Sequence, residues 1–447
     1  MSALARTVAR ASAKLGSKIP IASGYLSLFL MVLAPTAFTT VKALLVIVTA
    51  GAIVISLVRN NRMTLHPQVL MMTLLFVSGG LLFTLVGSFN ANPGVISMTP
   101  LFVAWPIAFI ALVAGLDTAS RLDRMVQVLV FATIAIAATM YHFLLTKEGV
   151  LPKTLYVDLG LGLRANADLL GPGRITEFDG YGIASLLFLV PFLIASLLVW
   201  PDRAGMPLRR TWLWVAFALS FPLVLLSGRR GLWLAVGMAP IAALIARAWL
   251  RRGTGARALP WRQWLMRGVP AVIALLTALW VIADLTPNKI ADWLGRGFAL
   301  PGGRKRQLDA LVDGWLDEPL LGKGLGAVAR VIRSNSQPWA YELAYASLLF
   351  ATGVVGIALF LYGLSWIIRS SRTMIRERNE RVEVLLSLLI GTLGIIVASA
   401  TNPYITKFDA LWTIFVPIAF INHWLRTRTD QLAPGVMSAR GATATRD

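Results

Sequence analysis

The sequence predicts an all-α polytopic membrane protein with about twelve transmembrane helices and one large helical loop on the outer side, between spans nine and ten. Three observations carry this. The 447-residue chain is 57% hydrophobic and only 14% charged. Its mean hydropathy is +0.71, far too apolar for a water-soluble chain of this length. Apolar runs of bilayer-spanning length recur along almost the whole chain, and none alternates as a barrel strand would.

Residues 1–21 form a basic N-terminus with Arg6, Arg10, Lys14 and Lys18. It resembles a signal-peptide n-region but leads into continuing apolar segments without a convincing cleavage site, so an uncleaved first helix is expected. The expected spans are 22–39, 41–58, 68–88, 95–115, 126–146, 181–200, 211–227, 231–249 and 267–285, then 343–368, 382–400 and 408–425. Residues 22–285 therefore hold spans one to nine with an outer loop at 147–180; 286–342 is the large loop; 343–425 holds the last three spans; 426–447 is a disordered cytoplasmic tail. Within the large loop, Leu308, Leu311, Val312, Trp315 and Leu316 recur at helical spacing, which predicts an amphipathic helix on the outer surface. The glycines of "GKGLG" then allow a tight turn before the chain re-enters the membrane.

A net charge of +21 could suggest nucleic acid, but the cations fall in short clusters between apolar segments and not in one basic domain. They set orientation instead. Alternate loops carry Arg59 and Arg62, Arg121 and Arg124, Arg203, Arg209 and Arg210, Arg251 to Arg267, and Arg369 to Arg381. Together with both termini these define a cytoplasmic side. The chain has no cysteine, so disulfides and cysteine-ligated metals are excluded.

Arg229 and Arg230 break this rule. They stand in "LLSGRRGLWLA", in a turn on the outer side too short to leave the interface. A charge drawn to bilayer depth costs about 2.5–3.5 kcal/mol on the insertion scale. A lipid-linked diphosphate would offset that cost, since guanidinium forks match phosphate oxygens; the bland alternative is snorkelling to headgroups. Arg174, Arg304, Lys305, Arg306 and Lys323 are further outer cations that can converge on this turn, with lipid-facing surface charge as the alternative. Asp309 and Asp313 read as solvated helix charges. For a proton acceptor, His66 and His423 lie at cytoplasmic ends and His142 reads as a core or capping residue. Glu342, where the large loop becomes a helix, is the better candidate, with Tyr345 one turn on; its bland reading is a carboxylate at the positive end of a helix dipole.

In order, "GPGRITEFDGYGIASLLFLVPFL", "LLSGRRGLWLA", "RKRQLDALVDGWLDEPLLGKGLGA" and "YELAYASLLFATGVVG" resemble the motifs of the O-antigen ligase and O-antigen polymerase superfamily of bacterial envelopes, over residues 150–360 or so. The resemblance implies a metal-independent, cofactor-free glycosyltransferase of the bacterial inner membrane, working at the periplasmic face. Its donor would be an undecaprenyl diphosphate-linked glycan and its acceptor a sugar or lipid-linked glycan, with membrane lipids around it and a chain-length regulator as partner. Arg230, Arg306 and Arg174 match the family's arginines. Ligases of this family carry a His-Asn pair where this chain has Tyr341 and Glu342, and the family's Pro-Asn is here Tyr181-Gly182. The sequence therefore favours a repeat-unit polymerase with Glu342, Arg306 and Arg230 as catalytic residues and Arg174, Arg229, Arg304, Lys323 and Tyr345 as substrate-binding residues. A ligase delivering finished polymer to lipid A core or another acceptor is the alternative, and a flippase of lipid-linked sugars the more distant one.

Overall fold

The structure is a computed structural model that describes residues 21–442 except 60, 62, 148, 153, 155–160, 166–177, 201–204, 228 and 253–301. Among the described residues the chain is a bundle of apolar helices. Eight helices or contiguous helical stretches are long and apolar enough to cross a membrane. Three further apolar helices, Ile21–Leu33, Ile183–Val199 and Arg210–Leu226, are shorter, and the expected span at 267–285 lies outside the described residues. The helices are α1 (Ile21–Leu33), α2 (Thr39–Arg59), α3 (Pro67–Phe89), α4 (Val95–Phe102), α5 (Ala104–Gly115) and α6 (Ala119–Lys147). They continue as α7 (Ile183–Val199), α8 (Arg210–Leu226), α9 (Arg230–Arg252), α10 (Gly302–Asp317), α11 (Ala344–Arg376), α12 (Val382–Ser399) and α13 (Trp412–Ala442). In the expected outer loop, Arg164–Ala165 pairs antiparallel with Phe178–Asp179, a two-residue clip that the apolar patterning did not foreshadow.

The centre of the bundle is α7, packed against α9 and α12. All but two of its residues are buried, so unlike a lipid-facing span it has no outer face. Lipid tails are as apolar as leucine, so such packing is driven by close van der Waals fit, which small residues permit. Gly391 and Gly394 on α12 meet the Phe188 and Leu187 carbonyls of α7; a Cβ on Gly394 would stand 2.2 Å from Leu187 O.

One end of the bundle gathers the α1–α2 connection, the α3–α4 junction, α10 and the segment 318–343, the start of α9, and residues 400–411. The other end gathers the arginine-rich connections, tied by Arg381 to Asp123, Trp424 to Glu377 and His66 N–H to Asn422 Oδ1. At the first end, α10 lays Leu311 and Ala310 against Tyr341, Leu343 and Phe350 to form a small second core. The amphipathic helix is thus where the spacing puts it, although its seam points into protein and Leu316 stays 61% exposed.

The "GKGLG" stretch does something other than turn back into a bilayer. Gly322, Gly324 and Gly326 all have positive φ, and the backbone from 319 to 325 is threaded between α3 and a break in α11. Lys323 and Gly324 N–H donate to Phe350 O and Ala351 O, while Val354 and Val355 N–H donate to Pro319 O and Leu320 O. The break is at Gly353, whose φ of 59° and ψ of −163° are non-helical. Only glycine fits there, since a Cβ would lie 2.3 Å from Leu320 O.

Candidate functional site

The turn between α8 and α9 is built by Ser227. Its hydroxyl donates to Val224 O and accepts from Arg229 N–H at 3.3 Å, closing the end of α8. Arg229 immediately precedes α9, its carbonyl accepting from the N–H groups of Leu232 and Trp233. A guanidinium at this end of a helix faces the positive pole of the helix dipole, an arrangement that an anion stabilises. Arg229 is half-buried and its Nη1 reaches Tyr404 OH at 3.4 Å. Arg230 is the first residue of α9; its side chain and all of Arg174 lie outside what the structure describes.

Residues 341–344 approach the same region from the other side. Arg304, Gln307 and Leu311 recur at three- and four-residue spacing, so one face of α10 carries all three. Leu311 is fully buried, and the buried Gln307 accepts the Glu342 N–H at 3.1 Å. Arg304 Nε is thereby set 2.5 Å from Glu342 Oε2. Arg333 Nε takes the other carboxylate oxygen at 3.0 Å. Glu342 precedes the N-terminus of α11, where a carboxylate is favoured by the dipole, and it is clamped between two guanidinium groups.

Lys407 completes the group. Its side chain is exposed, yet the protein around its ammonium partly desolvates it. That desolvation, then Arg333 and Arg229, hold its pKa below the ordinary lysine range, with Asp409 pulling the other way. Arg304 and Arg333 therefore hold Glu342, and Arg333 and Arg229 lie near enough to Lys407 to act on it, so four cations from four stretches of chain neighbour one another at this end of the bundle. Tyr341 supports them from below: its buried hydroxyl accepts the Ala329 N–H at 2.5 Å, fastening the segment that leads to Arg333, and burial pushes its phenol pKa up.

The other expected residues fall elsewhere. Arg306, Lys305, Asp309 and Asp313 are exposed on the outer faces of α10. Lys323 is beyond the far end of that helix, paired with Glu318 at 2.9 Å and Asp317 at 3.3 Å, and these carboxylates raise its pKa. Tyr345 turns into the bundle, where its hydroxyl donates to Ile396 O of α12 at 2.5 Å. His142 lies within α6, His66 caps α3 and His423 faces Asp117 O at the opposite end. Arg333 and Lys407 carried no motif, and only folding reveals them as members of the group.

An apolar cavity among Tyr25, Met31, Phe109 and Trp412 measures about 60 Å³, room for a few waters and not for a long lipid chain. The fold and this cluster define a multi-pass helical membrane protein with a cationic group that includes Glu342 at one end. No family model matches the chain, and no curated protein matches it.

Proposed function

We propose that the chain is a membrane-embedded glycosyltransferase that moves a glycan from a polyprenyl diphosphate donor to a sugar hydroxyl at the periplasmic face of a bacterial inner membrane. The observation that carries this is a run of neighbouring cations at one end of the bundle, with Arg304 and Arg333 on Glu342 and with Arg333 and Arg229 beside Lys407. Several cations held together at a membrane surface suit a diphosphate, whose charge grows as it leaves.

In this reading the acceptor oxygen attacks the anomeric carbon and the bond from that carbon to the phosphate oxygen breaks. The electron pair departs on the diphosphate, where the cations stabilise it, and the acceptor proton passes to Glu342. Each Glu342 oxygen keeps a lone pair beyond its guanidinium contact, so the carboxylate can still accept. The positive-inside pattern supports cytoplasmic termini and an outer active site. The absence of a histidine beside Glu342 supports a repeat-unit polymerase over a ligase.

Purified protein in detergent, given a lipid-linked repeat unit, tests the reading. Extension of the lipid-linked chain is the expected product, and Glu342→Gln lowers the rate by about 10²–10⁴-fold. Transfer of finished polymer to a second lipid, without extension, identifies the ligase instead. No transfer of either kind overturns the enzyme reading.

A further inference from the structure

Lys42 lies in the first turns of α2 with 0% exposure, and its Nζ stands 2.5 Å from Asp409 Oδ1. The same ammonium donates to Ala34 O at 2.8 Å, and Asp409 Oδ2 accepts from Thr36 N–H at 3.0 Å. An ion pair sealed inside an apolar helix bundle is costly to build and calls for a purpose beyond stability.

Its position supplies one. Asp409 belongs to the short 3-10 turn Phe408–Ala410, two residues after Lys407 and five after Tyr404. Phe408, between them, is wedged against Trp105 with ring centroids 4.1 Å apart. The turn is further closed by Lys407 N–H donating to Tyr404 O and Ala410 N–H donating to Lys407 O. Asp409 faces inward to Lys42 while Lys407 and Tyr404 face the cationic cluster. Moving Asp409 therefore moves both.

We propose that the buried Lys42–Asp409 pair is a positioning device for the anion site: it fixes the 404–411 segment so that Lys407 and Tyr404 meet Arg229 and Arg333 in register. Neither residue of the pair touches substrate. The proposal rests on the diphosphate-binding reading above. It extends the site to α2, at the far end of the sequence.

The chain contains no cysteine, so a single Lys407→Cys carries a spin label without background. Two variants are compared. Lys42→Met with Asp409→Asn removes both charges and leaves no orphaned ion. Asp409→Glu keeps the pair but lengthens it by one methylene, which decides the matter if the neutral pair does not fold. The probe is a polyprenyl diphosphate in detergent micelles, with the matching polyprenol as blank.

Folded protein of either variant is expected to bind the diphosphate about tenfold or more weakly, and the label at 407 to become more mobile in the same background. Wild-type affinity with an unchanged spectrum in both variants overturns the positioning role. Arg229→Ala in an otherwise native chain separates the two ideas. If that variant also binds as wild type, the diphosphate reading itself falls; if it loses binding while the pair variants keep it, only the positioning role falls.

Discussion

Two charged groups sit at the same end of this molecule and are built in opposite ways. Lys42 and Asp409 are sealed, 0% and 7% exposed at the side chain, with as many cations as anions. The group that includes Glu342 is open, with Arg304 32% and Arg333 49% exposed, and among the described residues cations are in excess there. A balanced buried pair holds structure and tolerates no loss of a partner. An open one leaves its guanidinium groups within reach of a ligand, which is what a binding site for an anion requires.

Breaking the sealed pair gives the largest expected effect. Lys42→Met or Asp409→Asn alone leaves an uncompensated charge in the bundle and should cost about 3–5 kcal/mol of stability, most of it recovered in the double variant. Thermal unfolding in detergent measures this. Equal loss in the double variant would mean that the surrounding hydrogen bonds, and not the charges, hold the segment.

The open group should behave in the reverse manner. Arg229→Ala or Arg333→Ala should change stability by no more than about 1 kcal/mol. The same variants should weaken diphosphate binding or transfer by about 10- to 100-fold, the worth of a charge-assisted hydrogen bond. Binding isotherms beside melting curves read both quantities, and a variant that melts early without losing affinity would erase the distinction.

A third region gives a smaller effect of another kind. The 319–326 segment is held by backbone complementarity, with a Cβ on Gly324 falling 2.2 Å from Gly87 N. Gly324→Ala should therefore destabilise by about 1–3 kcal/mol through overpacking and its positive φ, leaving diphosphate affinity of the folded fraction unchanged. Limited proteolysis and binding on the same sample check this.

Much of the frame was legible in the apolar runs, because bilayer thickness dictates span length. Arg229 and Glu342 stand out locally, the first as a cation against the topology rule and the second as a carboxylate at a helix start. Arg333 and Lys407 do not, since each reads as an ordinary loop cation until the chain closes. Lys42 was hidden by its setting, one charge at the start of an apolar span, whose partner lies 367 residues away in sequence by the numbers of Lys42 and Asp409. Lys323 looked equivalent to Arg304 because a sequence cannot show that one faces its own carboxylates and the other faces Glu342. The "GKGLG" glycines signalled a turn, and their real task, backbone contact with Gly87, Gly94 and Gly353, is a property of distant segments.

The smallest effect sharpens the contrast further, because it predicts opposite signs for function and stability. Lys407 has a pKa held below the ordinary lysine range by crowding and by Arg333 and Arg229. Between that lowered value and the unfolded lysine value near 10.4, the unfolded chain binds more protons than the folded one, so stability rises with pH across this window. Diphosphate binding, which needs the ammonium, falls across the same window. Lys407→Arg should carry binding to higher pH and remove the rise in stability. Lys407→Met should melt slightly later than wild type at neutral pH while binding less, since the repulsion it relieves is the same field that draws the anion in.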